Sequence, residues 1–374
     1  MTASTSLTAP QNGQRLLSLD FLRGVIMVIL ILGETGIFLK LNEASPNRFT
    51  HLLATQFEHS QWHGLHFWDL LLPAFMFVAG TAMAFSYQKQ KQLHYSWKRS
   101  FLKTLRRSFW LLFFGVLIYA VRDNHLNLQF SNVLTELAFA TLISFLIIRW
   151  PPVWQLAVSI LLLLITEFLF CFTHIPGFDQ PFTDQHNFGN YIDLIVIGRV
   201  NGHYGTTMNW VPCAASTIWG LMAGQLLLSN KNVKQKLSYL AAFGLLALVV
   251  GFTLDRTGIT PMLKWISSSS FVLATGGISI IALAICYWWI DVRRHQRYLM
   301  FFTVVGMNSI FIYLFYNFIG AQWLYGYANI LIGGLLNLIS IPFTTGAVIS
   351  CLSVFVFEWY LCYFLFQKRI FFKL

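Results

Sequence analysis

Apolar residues in this chain come in long runs, separated by short connections that hold most of its charge. A helix that crosses a bilayer needs about 20 predominantly apolar residues, within a range of about 17–25. On that measure ten runs predict spans: 19–40, 67–87, 108–121, 131–149, 153–172, 210–229, 237–254, 270–290, 300–319 and 346–366. The expected fold class is all-α: a polytopic membrane helix bundle of about ten transmembrane helices. Residues 15–374 would form a single transmembrane domain behind a polar, disordered cytoplasmic stretch at 1–14. One segment resists this pattern. Residues 328–341 are apolar but short for a span, and Pro342 follows, so an interfacial or re-entrant helix is expected there.

Composition agrees with the pattern. Hydrophobic residues make up 56% of the 374 and charged residues 10%, with a mean hydropathy of +0.62. A soluble domain has about 45–50% apolar and roughly 25% charged residues, so a soluble class is excluded. The net charge of +11 invites a nucleic-acid reading, and the placement of the charges answers it. Of 25 Lys and Arg, 19 fall in segments on one side of the predicted spans and 6 on the other, as the positive-inside rule requires. The stretch 89–107 is the clearest case, with Lys89, Lys91, Lys98, Arg99, Lys103, Arg106 and Arg107 and no acid. An even number of spans then puts both termini in the cytoplasm, and no nucleic-acid partner is expected. Cys171, Cys213, Cys286, Cys351 and Cys362 lie in or beside apolar runs without CxxC spacing, which reads as small core hydrophobes. No small-residue cleavage site follows the first apolar run, so that run is expected to remain as an anchor.

The densest chemistry lies just before the second run, from Glu58 to Asp69, where His59, His63 and His66 stand with Glu58 and Asp69. On a continuous helix the three histidines and Asp69 would share a face, a zinc-like pattern. Gly64 argues instead for a turn, and Trp62, Phe67 and Trp68 suit an interfacial aromatic belt, so no metal is expected. Asp20 and Arg23 are three apart at the start of the first span and can pair there, and Ser18 can cap that helix. Glu34 lies inside an otherwise apolar helix, where an ionisable group marks a functional site. Glu136, Glu167 and Glu358 are further acids within apolar runs, with no role assigned.

Two stretches carry a resemblance. Arg15-x-x-Ser18-Leu19-Asp20-x-x-Arg23-Gly24 is followed by His59-x-x-Trp62-x-Gly64-x-x-x-x-Asp69-Leu70-x-x-Pro73-x-Phe75-x-Phe77. Together they resemble the heparan-α-glucosaminide N-acetyltransferase family, including its bacterial relatives, within a superfamily of transmembrane acyltransferases. Trp265 to Leu273, Gly306-Met307-Asn308-Ser309-Ile310 with Tyr313, and the tail from Lys368 to Lys373 resemble later segments of that family.

The resemblance implies an acyl-CoA-dependent N-acetyltransferase in a bacterial inner membrane. It would pass an acetyl group from cytoplasmic acetyl-CoA to the amine of an extracytoplasmic amino sugar. The family's catalytic histidine falls on His59 and its following aspartate on Asp69, with Glu34 where many members carry an asparagine. A neutral imidazole could deprotonate the acceptor amine or attack the thioester itself. Asp69 could fix the ring's tautomer or cap its own helix. Arg23, Arg99, Arg106 and Arg107 are expected to receive the anionic nucleotide end, and Asn308 with Ser309 the pantetheine arm. Glu58, Trp62 and His63 are expected on the acceptor side. Expected partners are the bilayer, an amino-sugar or glycan acceptor, and a second copy in a homodimer. The chain departs from the family in a longer loop before His59 and in Met208-Asn209-Trp210-Val211-Pro212, where an Asp-Pro-Glu-Gly-type segment is expected. Two alternatives remain: an amino-sugar transporter without chemistry, and an O-acetyltransferase of a surface glycan.

Overall fold

In the computed structural model, residues 16–126, 128–201 and 205–372 are described. The polar stretch 1–14, Arg15 and Lys373 lie outside them. Every regular element among the described residues is helical, as a backbone without water to bond to demands. In chain order they are α1 (Leu17–Glu34), α2 (Ile37–Ala44), α3 (Arg48–Gln56), α4 (Leu71–Gln92), α5 (Trp97–Asp123), α6 (Val133–Leu146) and α7 (Pro152–Phe172). Then come α8 (Phe188–Ile197), α9 (Trp210–Leu228), α10 (Val233–Arg256), α11 (Ser269–Cys286), α12 (Met300–Met307), α13 (Ser309–Leu338) and α14 (Phe343–Gln367).

Among the described residues, seven helices are long and apolar enough to cross a membrane, or up to nine if two bent pairs each count as one span. The chain is a multi-pass membrane protein. Three of the ten expected spans differ from a straight crossing. The first run breaks at Gly36, whose φ of +71° ends α1, and the chain bends by 49° into α2. Residues 41–66, expected as loop, therefore carry the end of α2 and all of α3. The run at 131–149 folds into only 14 helical residues, α6, about 21 Å at 1.5 Å per residue. The run at 300–319 breaks at Asn308, where α12 and α13 meet at 75°. Helix then continues through 328–338, so the segment expected as an interfacial or re-entrant helix is the end of a longer bent element, a broken span or a re-entrant loop.

Glycines set the contacts between helices, since without a solvent-driven hydrophobic force the backbones must come close to gain packing. In the α4–α9 pair the approach is reciprocal: a Cβ on Gly80 would strike the carbonyl of Thr217, and one on Gly220 that of Phe77. The α1–α12 pair is built the same way by Gly24 against Phe302 and Gly306 against Asp20 and Gly24. Burial then sorts inner from outer helices. The apolar windows of α9 and α11 are 67% buried and that of α10 only 17%, so α10 lies at the periphery. Ser18 does not cap α1, whose first residue is Leu17; the carboxylate of Asp291 accepts the Ser18 backbone N–H at 3.1 Å instead. The predicted pair of Asp20 and Arg23 forms at 3.9 Å.

Gly220→Val should lower the thermal midpoint in detergent by a margin matching about 1–3 kcal/mol of overpacking. Gly334→Ala, where nothing lies within 4 Å of the new methyl group, should leave it unchanged or slightly raised. Equal midpoints for the two variants would contradict the close α4–α9 crossing.

Candidate active site

Three segments distant in sequence meet at one end of the bundle: 57–70, 205–209 and 262–268. Gly64, at φ +116°, turns the first segment so that its N–H reaches Met262 O at 2.9 Å, and His63 bridges Leu263. Asp255, at the end of α10, clamps both strands, accepting from Met262 N at 2.7 Å and lying 2.8 Å from His63 Nε2. Trp265 Nε1 donates to the carbonyls of Ser60 and Gln61 at 3.1 and 2.8 Å. The turn separates the histidines, as Gly64 implied: His59 faces Asp69, His63 faces Asp255, and His66 Nδ1 lies 3.0 Å from Glu58 O.

Asp69 sits at the centre with no exposed side-chain surface. Its Oδ2 accepts the backbone N–H groups of Ser60 at 3.2 Å and His66 at 3.0 Å. Its Oδ1 lies 2.8 Å from His59 Nδ1 and 3.4 Å from Lys264 Nζ. The two roles left open for this residue, orienting the imidazole and capping a helix start, are thus divided between its two oxygens. Lys264 Nζ also lies 2.5 Å from His59 Nδ1 and 4.4 Å above the Trp265 ring. Trp265 meets the His59 ring edge-on at 5.4 Å. Nδ1 is enclosed, and Nε2 has no protein partner among the described residues.

The surroundings favour the neutral ring. Burial lowers the His59 pKa from its ordinary value and the charge of Lys264 adds to this, while the Asp69 hydrogen bond opposes them. Burial likewise pushes Lys264 down to about 8 against the pull of Asp69, Glu136 and Glu34.

A cavity of 340 Å³ opens beside this cluster, lined by His59, Asp69, Lys264, Glu34 and Glu136 and reaching Met27 and Tyr313 within the bundle. From Glu34 back to Met27 is about 10 Å along α1. Glu34 borders the cavity at the end of α1, where Tyr316 donates to its backbone carbonyl at 3.2 Å. Glu136, only 2% exposed, has one carboxylate oxygen without a hydrogen bond. Glu167 accepts the Ser269 N–H at 2.8 Å and so anchors the start of α11. Glu358 is fully buried, both oxygens unpartnered, and does not border the cavity.

Of the residues given a site role from sequence, the cavity gathers Glu34, His59 and Asp69, and Glu136, Trp265 and Tyr313 join them. Glu58, Trp62 and His63 lie in the same turn but do not line it; the Trp62 indole donates to Phe182 O at 2.8 Å. Arg23, Arg99, Arg106 and Arg107 are also outside its lining. Arg23 and Arg107 lie within electrostatic reach of each other, Arg99 stacks on Tyr95 at 3.9 Å, and Arg106 is exposed. Ser309 is buried in the bundle, and the Asn308 amide holds the tail, donating to Ile370 O at 3.1 Å and accepting Phe372 N–H at 3.0 Å. Sequence reasoning missed Lys264. Its signal was its position as one of the 6 cations on the acid-rich side, directly before the Trp265 segment.

Residues 15–254 match the catalytic family described as heparan-alpha-glucosaminide N-acetyltransferase. Over 383 residues the chain is 24% identical to the heparan-alpha-glucosaminide N-acetyltransferase of Mus musculus, covering 84% of this chain and 56% of that protein. The Homo sapiens protein of that name is 23% identical over 383 residues, covering 83% and 54%. The chain spans about half the length of the curated relatives it matches.

Asp69→Asn removes the buried carboxylate opposite Lys264. Breaking such a pair costs about 3–5 kcal/mol, so a lower thermal midpoint is expected. The His59 pKa should fall further, because the hydrogen bond that opposes its depression is lost. An upward shift in a histidine NMR titration would contradict the geometry.

Proposed function

We propose the following activity for this chain, which belongs to the heparan-alpha-glucosaminide N-acetyltransferase catalytic family: transfer of an acetyl group from acetyl-CoA to the amine of an amino sugar. The donor approaches from the cytoplasmic side of a bacterial plasma membrane and the acceptor from the opposite side. The observation that carries this reading is the His59–Asp69–Lys264 cluster on a cavity that continues into the bundle.

The cavity volume of 340 Å³ is at the lower end of the about 300–1,000 Å³ typical of ligand sites. It suits the acyl end of the donor beside an acceptor amine, with the nucleotide held outside by the basic residues of α1 and α5. His59 Nε2 is the group that takes the proton from the attacking amine, since Nδ1 is held by Asp69. Glu34 and Glu136 border the space the acceptor would enter, and their carboxyl oxygens can accept hydrogen bonds from its amine. A transporter would need none of the His59 and Asp69 geometry.

Proteoliposomes supplied with labelled acetyl-CoA and glucosamine should form N-acetylglucosamine, and His59→Ala should reduce turnover by about 100-fold or more, the usual contribution of a positioned base. Unchanged turnover in that variant would remove the assignment. The sign of the pH dependence follows from burial. A ring whose pKa is lowered loses its proton below 6.5, so turnover should rise with pH through a midpoint below 6.5. A midpoint above 6.5 would contradict a site that favours the neutral ring.

A further inference from the structure

One lysine in this bundle stands among more charge than any helix-capping role needs. Lys264 has a side chain only 13% exposed. It faces His59 Nδ1 at 2.5 Å, Asp69 Oδ1 at 3.4 Å and the Trp265 ring at 4.4 Å. Glu34 and Glu136 act on it across the cavity that it helps to line. The same Asp69 oxygen holds the imidazole and the ammonium side by side, and both groups border the cavity in which the thioester is to break.

We infer that Lys264 is the acid of the reaction, giving a proton to the departing thiol of the acyl donor while His59 takes one from the acceptor amine. This rests on the acetyl-transfer reading above. The amine nitrogen forms a bond to the thioester carbonyl carbon, and the C–S bond breaks with its electron pair on sulfur. The amine proton goes to His59 Nε2, and the proton that sulfur receives leaves Lys264 Nζ. The imidazolium then returns its proton to water at its exposed edge and the lysine recovers one from water. The net products are an amide and a thiol, with no further reactant.

The closeness of the two groups couples the transfers. A positive charge arriving on the ring, 2.5 Å from the ammonium, repels it and makes it the stronger acid at the moment sulfur needs a proton. An ordinary lysine, near 10.4, would match poorly with an alkyl thiol near 8.5. Burial has brought this one to about 8.

The test uses the full chain in proteoliposomes, glucosamine as acceptor, and two donors: acetyl-CoA, and an acetyl thioester of an aromatic thiol, whose thiolate leaves without a proton. With acetyl-CoA, Lys264→Met should lower kcat by about 100-fold or more, with KM for glucosamine little changed. With the aryl thioester the loss should shrink to less than about 5-fold, whereas His59→Ala should lose activity with both donors. Lys264→Arg keeps the charge but holds its proton, and it should behave as Lys264→Met does. That variant also carries the test if Lys264→Met does not fold. Equal losses with the two donors, or recovery of acetyl-CoA turnover by Lys264→Arg, would overturn the role of Lys264 alone. A wild-type chain that acetylates glucosamine from neither donor would overturn the acetyl-transfer reading, and this role with it.

Discussion

A carboxylate with no exposed surface must have its charge answered from within the protein, because removing it from water costs several kcal/mol that only hydrogen bonds and counter-charge can offset. Asp69 meets that condition with partners drawn from two stretches of chain. The N–H groups of Ser60 and His66 come from the turn before α4, together with the His59 ring, and the ammonium comes from Lys264 in the 262–268 segment. The carboxylate is therefore satisfied only when the turn at Gly64 and the Lys264 segment are both in place. The same constraint that settles the loops also holds the imidazole with Nδ1 enclosed and Nε2 open.

The second constraint is the bilayer. Within it, irregular backbone is tolerated only where protein or a water-lined cavity covers it. The breaks in this bundle follow that rule. Glu34 borders the cavity at the last residue before the bend after α1, and Tyr313 reaches the same cavity from just beyond the break at Asn308. Asn308 itself, 1% exposed, is satisfied by the backbone of the tail. Straight crossings such as α4 and α9, by contrast, are held by reciprocal glycine contacts and lie deep in the packing.

Those two constraints account for Glu34, Glu136 and Glu167 among the acids within the apolar runs. Glu167 is a structural anchor at the start of α11, and its partner is a backbone N–H. Glu34 and Glu136 border the cavity instead, together with Lys264. Residues of one type at similar apolar positions thus divide by what their helix faces, a property of packing and not of the residue.

How much could be read in advance follows from the range of each interaction. Helical class, multi-pass character and the turn at Gly64 depend on neighbours within a few residues, and the amino-acid order alone determined them. His59 and Asp69 are ten apart and carried a recognisable spacing, so they too were legible. The bends after α1 and at Asn308 were not, because a run of apolar residues reads the same whether its helix is straight or broken. Lys264 was out of reach for a stronger reason: it touches His59 across 205 positions of chain, and no local pattern encodes a contact that the packed bundle and the Gly64 turn must first create. Tertiary structure alone decided which cation answers Asp69 and which acids share its cavity, since low-dielectric burial makes a charge depend on whatever the fold brings within a few ångströms of it.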